Sequence, residues 1–204
     1  MTTVSGRDSG VSASPHVDAF VAQCQRPHDL KPVEFEALPP FYRALLVMDG
    51  TVTRFVEAYH GEPLTSTGIR QETKPLAAYD PWLGAPAGLP VMTRQVLLTG
   101  VRTGTLYAYA ESRIVPDRLP SCPRAAITSG GELLGRVMRS CRTETYRELL
   151  WHGFEYPTDL PDALDDYVGT RFLTRAYQVI AGGRPLMVIT EKFPLPDPDE
   201  HTAS

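Results

Sequence analysis

At 204 residues, 42% of them hydrophobic, the chain is long enough for one domain with a substantial core. Its 20 Lys and Arg against 24 Asp and Glu leave a net charge of −4, which offers no basic face for nucleic acid. No apolar run approaches the ~20 residues that span a bilayer, and residues 1–15 lack the apolar core of a signal peptide, so no membrane partner is expected and the default location is the cytoplasm.

Residues 1–15 are small and polar and read as a flexible leader. The folded domain is expected over 16–193 and a polar, frayed tail over 194–204. Val17, Phe20, Val21 and Cys24 recur at helical spacing between His16 and Gln25. Pro39-Pro40 opens a second helix that stops at Gly50, with Phe41, Leu45 and Met48 on one stripe. The alternation in 51–59 predicts a strand, with 63–72 as its hairpin partner. Pro75, Pro81, Pro86 and Pro90 exclude regular structure over 74–91, leaving either a cover over a site or a mobile surface excursion.

A strand pair follows over 91–100 and 105–115, turning at Gly104. Alternation groups Met92, Arg94, Val96 and Leu98 on the first strand, and Leu106, Ala108, Ala110, Ser112 and Ile114 on the second. The small side chains of Ala108, Ala110 and Ser112 leave room either for packing helices or for a small ligand. Ser129 and Glu132 have the spacing of a capping box for a short helix carrying Leu133, Leu134, Val137 and Met138. Residues 142–153 read as a further helix, with Tyr146, Leu149 and Leu150 along it and Gly153 as its stop. Acidic, proline-bearing 157–167 is a connecting loop.

Gly182-Gly183 separates two apolar, β-branched runs and predicts a tight hairpin. Pairing about that turn sets Ala181 opposite Arg184, Gln178 opposite Met187 and Thr174 opposite Glu191. One face then carries Phe172, Ala176, Ile180, Met187, Ile189, Glu191 and Phe193. Strands in adjacent pairs, with helices between the pairs, predict an α+β fold: a single domain built on a mainly antiparallel sheet with helices in the connections.

Two charged residues fall in apolar rows, Arg94 and Glu191. A buried Arg cannot neutralise itself and needs an anion from the protein or from a ligand. A carboxylate taken out of water is either paired with a cation or kept for chemistry. The two residues therefore either complete the core as ion pairs or form a site. His16, His28, His60, His152 and His201 are scattered without ligand spacing, so no metal is expected. Cys24, Cys122 and Cys141 follow no metal or redox spacing and read as reduced and structural. There is no phosphate-cradling glycine loop and no nucleophile elbow.

The blocks MDGTVTRFVE, TRQVLLTG, YAYAESRIVP, GELLGRVM and GGRPLMVITEKF, in that order between Phe41 and Phe193, resemble chorismate pyruvate-lyase, in particular its actinobacterial and archaeal 4-hydroxybenzoate synthase branch. The resemblance implies a chorismate lyase-like antiparallel sheet around an internal ligand site. It also implies conversion of chorismate into 4-hydroxybenzoate and pyruvate without metal or cofactor. It makes Arg94 the holder of the ring carboxylate and Glu191 the group beside the para oxygen, an acid or proton relay in an apolar setting. Val52, Leu134 and Gly135 are implied at the ligand, with Leu134 where the family has Pro, and Arg70 in GIRQE is matched as well. Ser112 stands where proteobacterial enzymes carry an arginine of a second ligand-holding site, with neighbouring Arg113 as the candidate to compensate. The partner implied is a small cyclic carboxylate, and the expected state is a monomer or weak homo-oligomer. Two alternatives share the scaffold: an enzyme acting on another secondary-metabolite substrate, and a small-molecule-sensing domain without turnover, as in some transcription regulators.

Overall fold

The computed structural model describes residues 19–129 and 133–195. Its centre is a six-stranded antiparallel sheet of β1 (Leu64–Pro75), β2 (Pro90–Gly100), β3 (Leu106–Ile114), β4 (Tyr146–Glu155), β5 (Phe172–Ala181) and β6 (Arg184–Pro194). The spatial order is β1-β2-β3-β6-β5-β4, so two three-stranded meanders meet along β3 and β6. This is the α+β, mainly antiparallel architecture that the paired strand patterns predict. Four short helices, α1 (Pro40–Val47), α2 (Val52–His60), α3 (Ser121–Ser129) and α4 (Leu134–Ser140), occupy the connections. Leu45 and Leu46, Val52 and Val56, Ile127, and Val137 and Met138 pack in one cluster with Met92, Leu98, Tyr177, Val179, Met187 and Ile189. All four helices thus cover one face of the sheet.

Part of the reverse face is closed by the proline-rich segment between β1 and β2, and part by Leu160, Leu164 and Tyr167. Leu83 and Ala85, both fully buried, pack there with Val115, Leu150, Trp151, Ala176 and Val188. The segment is held by polar ties as well. Asp80 accepts from the backbone N–H groups of Trp82 (3.0 Å) and Leu83 (3.1 Å), and its other oxygen pairs with Arg113. Gln178 donates to the Trp82 carbonyl, and Arg118 to the carbonyls of Leu83 and Gly84. Neither sequence expectation for 74–91 holds: it is neither a lid over the cavity described below nor an excursion, but part of the cover of the opposite face.

Two elements differ in kind from their sequence reading. Residues 52–60 are a helix, because Val52, Val56 and Tyr59 also satisfy helical spacing and Gly61 at φ 64° supplies a left-handed C-terminal cap whose N–H donates to the Glu57 carbonyl at 2.9 Å. The partner of β1 is accordingly β2. Residues 146–155 are a strand, not a helix: β4 pairs with β5 from Tyr146↔Ile180 to Glu155↔Phe172, and this pairing overrides the helical propensity of Arg-Glu-Leu-Leu. Gly153 is therefore no helix stop. A Cβ there would lie 2.5 Å from the Lys31 carbonyl, where the N-terminal segment bridges to Phe154 along the outer edge of β4.

That edge also explains why 16–25 forms no regular α-helix in its described part. The N–H groups of Val21 and Ala22 donate to the carbonyls of Leu149 and Leu150, both at 3.0 Å, and Gln23–Gln25 makes a 3-10 turn. α3 is a helix that the sequence reading left out. α4 starts after Leu133 with no side-chain cap, while Gly130 to Glu132 of the expected capping box lie outside the described residues. So do the expected leader and all of the expected tail but Pro194 and Leu195; Pro194 closes β6, and the Leu195 N–H donates to the Arg171 carbonyl at 2.8 Å. The thiols differ too. Cys122 and Cys141 form a disulfide across a Cα–Cα separation of 5.8 Å, tying the start of α3 to the end of α4, while Cys24 is free and exposed.

The final hairpin turns at Gly182 (φ 55°) and Gly183 (φ 72°), conformations open to glycine, with Ala181 opposite Arg184 as expected. Beyond the turn the register slips by one. Ile180 faces Pro185 but Val179 faces Met187, so Leu186 is a bulge residue. Pro185 has no N–H for the ladder, which weakens regular pairing at that point. From there on Gln178 pairs with Val188, and Arg175, not Thr174, with Glu191.

Candidate active site

The slip decides what surrounds Glu191. On the helix-covered face β5 presents Arg175, Tyr177 and Val179 beside Met187, Ile189 and Glu191 of β6, and Ala176 turns to the reverse face. Glu191 is 6% exposed. One carboxylate oxygen accepts from Arg175 Nε at 2.8 Å and the other from the Tyr177 hydroxyl at 3.0 Å. Arg175 is wholly buried, and its Nη1 donates to the carbonyls of Leu45, Leu46 (3.2 Å) and Met48 (3.2 Å) at the end of α1. The expected apolar setting of Glu191 is thus corrected: the carboxylate is half of an ion pair whose cation is Arg175. Burial first, and then the neighbouring carboxylate, push the Tyr177 phenol above its ordinary pKa, so it stays protonated and donates.

In front of Glu191 lies a cavity of about 70 Å³ between the sheet and the helices. At ~15 Å³ per water this holds on the order of five waters, which fill ~150 Å³ of liquid, room enough for a substituted benzene ring. Arg94, Val96 and Leu98 of β2, Ala110 and Ser112 of β3, and Met187, Ile189 and Glu191 of β6 form its floor. Thr51, Val52 and Thr53 from the start of α2, and Leu133, Leu134, Gly135 and Met138 at α4, form its roof, with Tyr177 and Val179 of β5 and Arg147 of β4 at the far side. Arg94 is 5% exposed, and burial lowers its pKa from the ordinary value without removing its charge.

A model of the family described as chorismate pyruvate-lyase, Rv2949c-like, matches residues 46–197. The chain belongs to that family. The chorismate pyruvate-lyase of Mycobacterium leprae is 33% identical over 166 residues, covering 78% of this chain and 77% of that one. The enzyme of the same name from Mycobacterium tuberculosis (strain H37Rv) is 32% identical over 160 residues, covering 74% and 78%. Among solved structures, the effector domain of PhnF from Mycobacterium smegmatis superposes with a TM-score of 0.54 at 14% identity, covering 80% of this chain and 91% of that one. The longer PhnF chain gives 0.55 at 14% identity, and 65% of its length is spanned. The PhnF likeness is one of fold.

In this chorismate pyruvate-lyase family member, Arg94, Glu191, Val52, Leu134, Gly135 and Ser112 all line one cavity. Arg70 does not. The β1–β2 register sets Gln71 beside Arg94, so Arg70 emerges on the reverse face, where its side chain is 57% exposed and pairs with Glu72 at 2.8 Å. Arg113 likewise points away from Ser112 and is held by Asp80, so it does not compensate for the missing arginine. Arg175, Tyr177 and Arg147 are among the lining or supporting residues that the sequence does not single out. Unbroken alternation about the turn puts Arg175 and Tyr177 on the other face of β5, and Pro185 is the available sign of an irregular register. Arg147 was hidden by the helical reading of 142–153. Among the described residues, no group of His, Cys, Asp and Glu could hold a metal ion, and no helix is long and apolar enough to cross a membrane.

Proposed function

We propose that this chain eliminates pyruvate from chorismate to give 4-hydroxybenzoate, with the cavity in front of Glu191 as its active site. The observation that carries the proposal is the convergence of Arg94 and Glu191, from β2 and β6, on one mostly apolar cavity in a member of this family. One strand lies between them and the register offsets them by two residues, so their backbones are separated by ~12 Å. That span suits a para-substituted ring with a carboxylate at one end and a hydroxyl at the other.

Arg94 holds the ring carboxylate by charge-assisted hydrogen bonds and fixes which end of the ring meets Glu191. Glu191, held by Arg175 and Tyr177, accepts from the 4-hydroxyl or takes the C4 proton and passes it on. The C4–H and C3–O bonds break, the ring becomes aromatic, and the hydrogen ends on the methylene carbon of the departing enolpyruvyl group, which leaves as pyruvate. The atoms balance with no external oxidant or reductant, so the residues named suffice without a cofactor. The working form is a monomer or weak homo-oligomer.

Incubation of the purified chain with chorismate, following 4-hydroxybenzoate and pyruvate together, tests the reading. Equimolar release supports it, and Arg94→Ala should lower kcat/KM by about 100-fold or more, the worth of a lost charge-assisted pair. Tight binding without turnover would make the chain a sensor, and neither binding nor turnover would point to another substrate.

A further inference from the structure

Resting on the lyase reading, we infer that Arg147 holds the side-chain carboxylate of the dicarboxylate substrate, the one that leaves with pyruvate, and so separates substrate from product. Chorismate carries two carboxylates, one on the ring and one on the enolpyruvyl ether; 4-hydroxybenzoate keeps only the first. Among the described residues, two guanidinium-bearing residues line the cavity, Arg94 and Arg147. The anion of the site, Glu191, is already answered by Arg175 at 2.8 Å.

Geometry orders these groups along the substrate. Arg94 stands on β2, Glu191 on β6, Tyr177 on β5 and Arg147 on β4, successive stations across the sheet in the order β2-β3-β6-β5-β4. With the ring carboxylate at Arg94 and the para oxygen at Glu191, the ether substituent on the neighbouring ring carbon extends toward β5 and β4. Arg147 is posed for that end. One terminal nitrogen donates to the Asp49 carbonyl at 2.9 Å, and the guanidinium lies over the Tyr177 ring, 5.7 Å from its centroid. Its Nε is buried with no hydrogen-bond partner. A buried donor left without an acceptor is costly, and a carboxylate in the cavity would answer it through the fork geometry that arginine offers. Arg94 is buried and Arg147 half-buried, so the group that departs first is held at the end nearer solvent.

Chorismate kinetics combined with 4-hydroxybenzoate inhibition, on the wild-type chain, Arg147→Gln and Arg147→Lys, test the assignment. Arg147→Gln should raise the KM for chorismate by about 10- to 100-fold, the worth of a hydrogen bond to a charged group. The inhibition constant of 4-hydroxybenzoate should not change, because the product offers nothing to this residue. Arg147→Lys, which keeps the charge and loses the fork, should fall between. An unchanged KM in Arg147→Gln overturns the proposal. So does an inhibition constant that rises in step with KM, since Arg147 would then only maintain the cavity. If the wild-type chain does not convert chorismate at all, the lyase reading itself fails and takes this role with it; an active wild type with a KM-neutral Arg147→Gln removes the role alone.

Discussion

Arg175 is wholly buried, yet its charge is answered on two sides, by Glu191 on β6 and by three carbonyls at the end of α1. Such a pair contributes little net stability when intact, but removing one partner leaves the other charge stranded, at about 3–5 kcal/mol. Glu191→Gln keeps an oxygen for Arg175 and removes the charge, so it should cost about 3 kcal/mol, the low end of that range, read as a lowered denaturant midpoint. Turnover should fall more than affinity for 4-hydroxybenzoate, and an unchanged kcat would exclude proton transfer through this carboxylate. Arg94 and Glu191 were legible in the sequence because each stands alone among apolar neighbours in a strand with a clear period. Arg175 obeys the same rule. Its place beside Glu191 is hidden because alternation transmits phase only as far as the first irregularity, and Leu186 inserts one.

At the scale of elements, the roof of the cavity depends on how closely α4 approaches α2. A Cβ on Gly135 would sit 2.2 Å from Cγ2 of Thr51, so these two cavity-lining residues touch only because position 135 has no side chain. Gly135→Ala should force the helices apart, lowering stability by about 1–3 kcal/mol in thermal unfolding and raising the KM for chorismate. A variant with wild-type stability and KM would show that the roof gives way freely. α2 and β4 were the elements whose type the sequence hid, for opposite reasons. Nine residues of Val-Thr-Arg-Phe-Val-Glu-Ala-Tyr-His satisfy both periods over so short a run. In β4, Leu149 and Leu150 serve opposite faces across a bulge, a pattern that mimics a helical stripe.

For the molecule as a whole, the sheet divides the labour. One face carries the α-helices and the cavity; the other is covered in part by 76–89 and in part by Leu160, Leu164 and Tyr167, packed with Leu97, Leu106, Tyr109 and Phe172. Leu83 anchors 76–89 and is fully buried. Leu83→Ala should cost about 2–5 kcal/mol of stability, measured by chemical denaturation, and leave KM for chorismate unchanged. A raised KM at unaltered stability would restore a covering role to this segment. The α+β architecture was legible because strands came in adjacent alternating pairs. Which face the helices cover was not, since alternation assigns rows and carries no handedness. Among the described residues the two meanders meet in the sheet only between Tyr109–Ile114 of β3 and Met187–Lys192 of β6. A molecule gripped by Arg94 on one side of this joint and Glu191 on the other acts as a clasp drawn across it from within. On the proposed binding mode its binding free energy would add to that of folding, so the molecule would be tightest while occupied and slacken each time it empties.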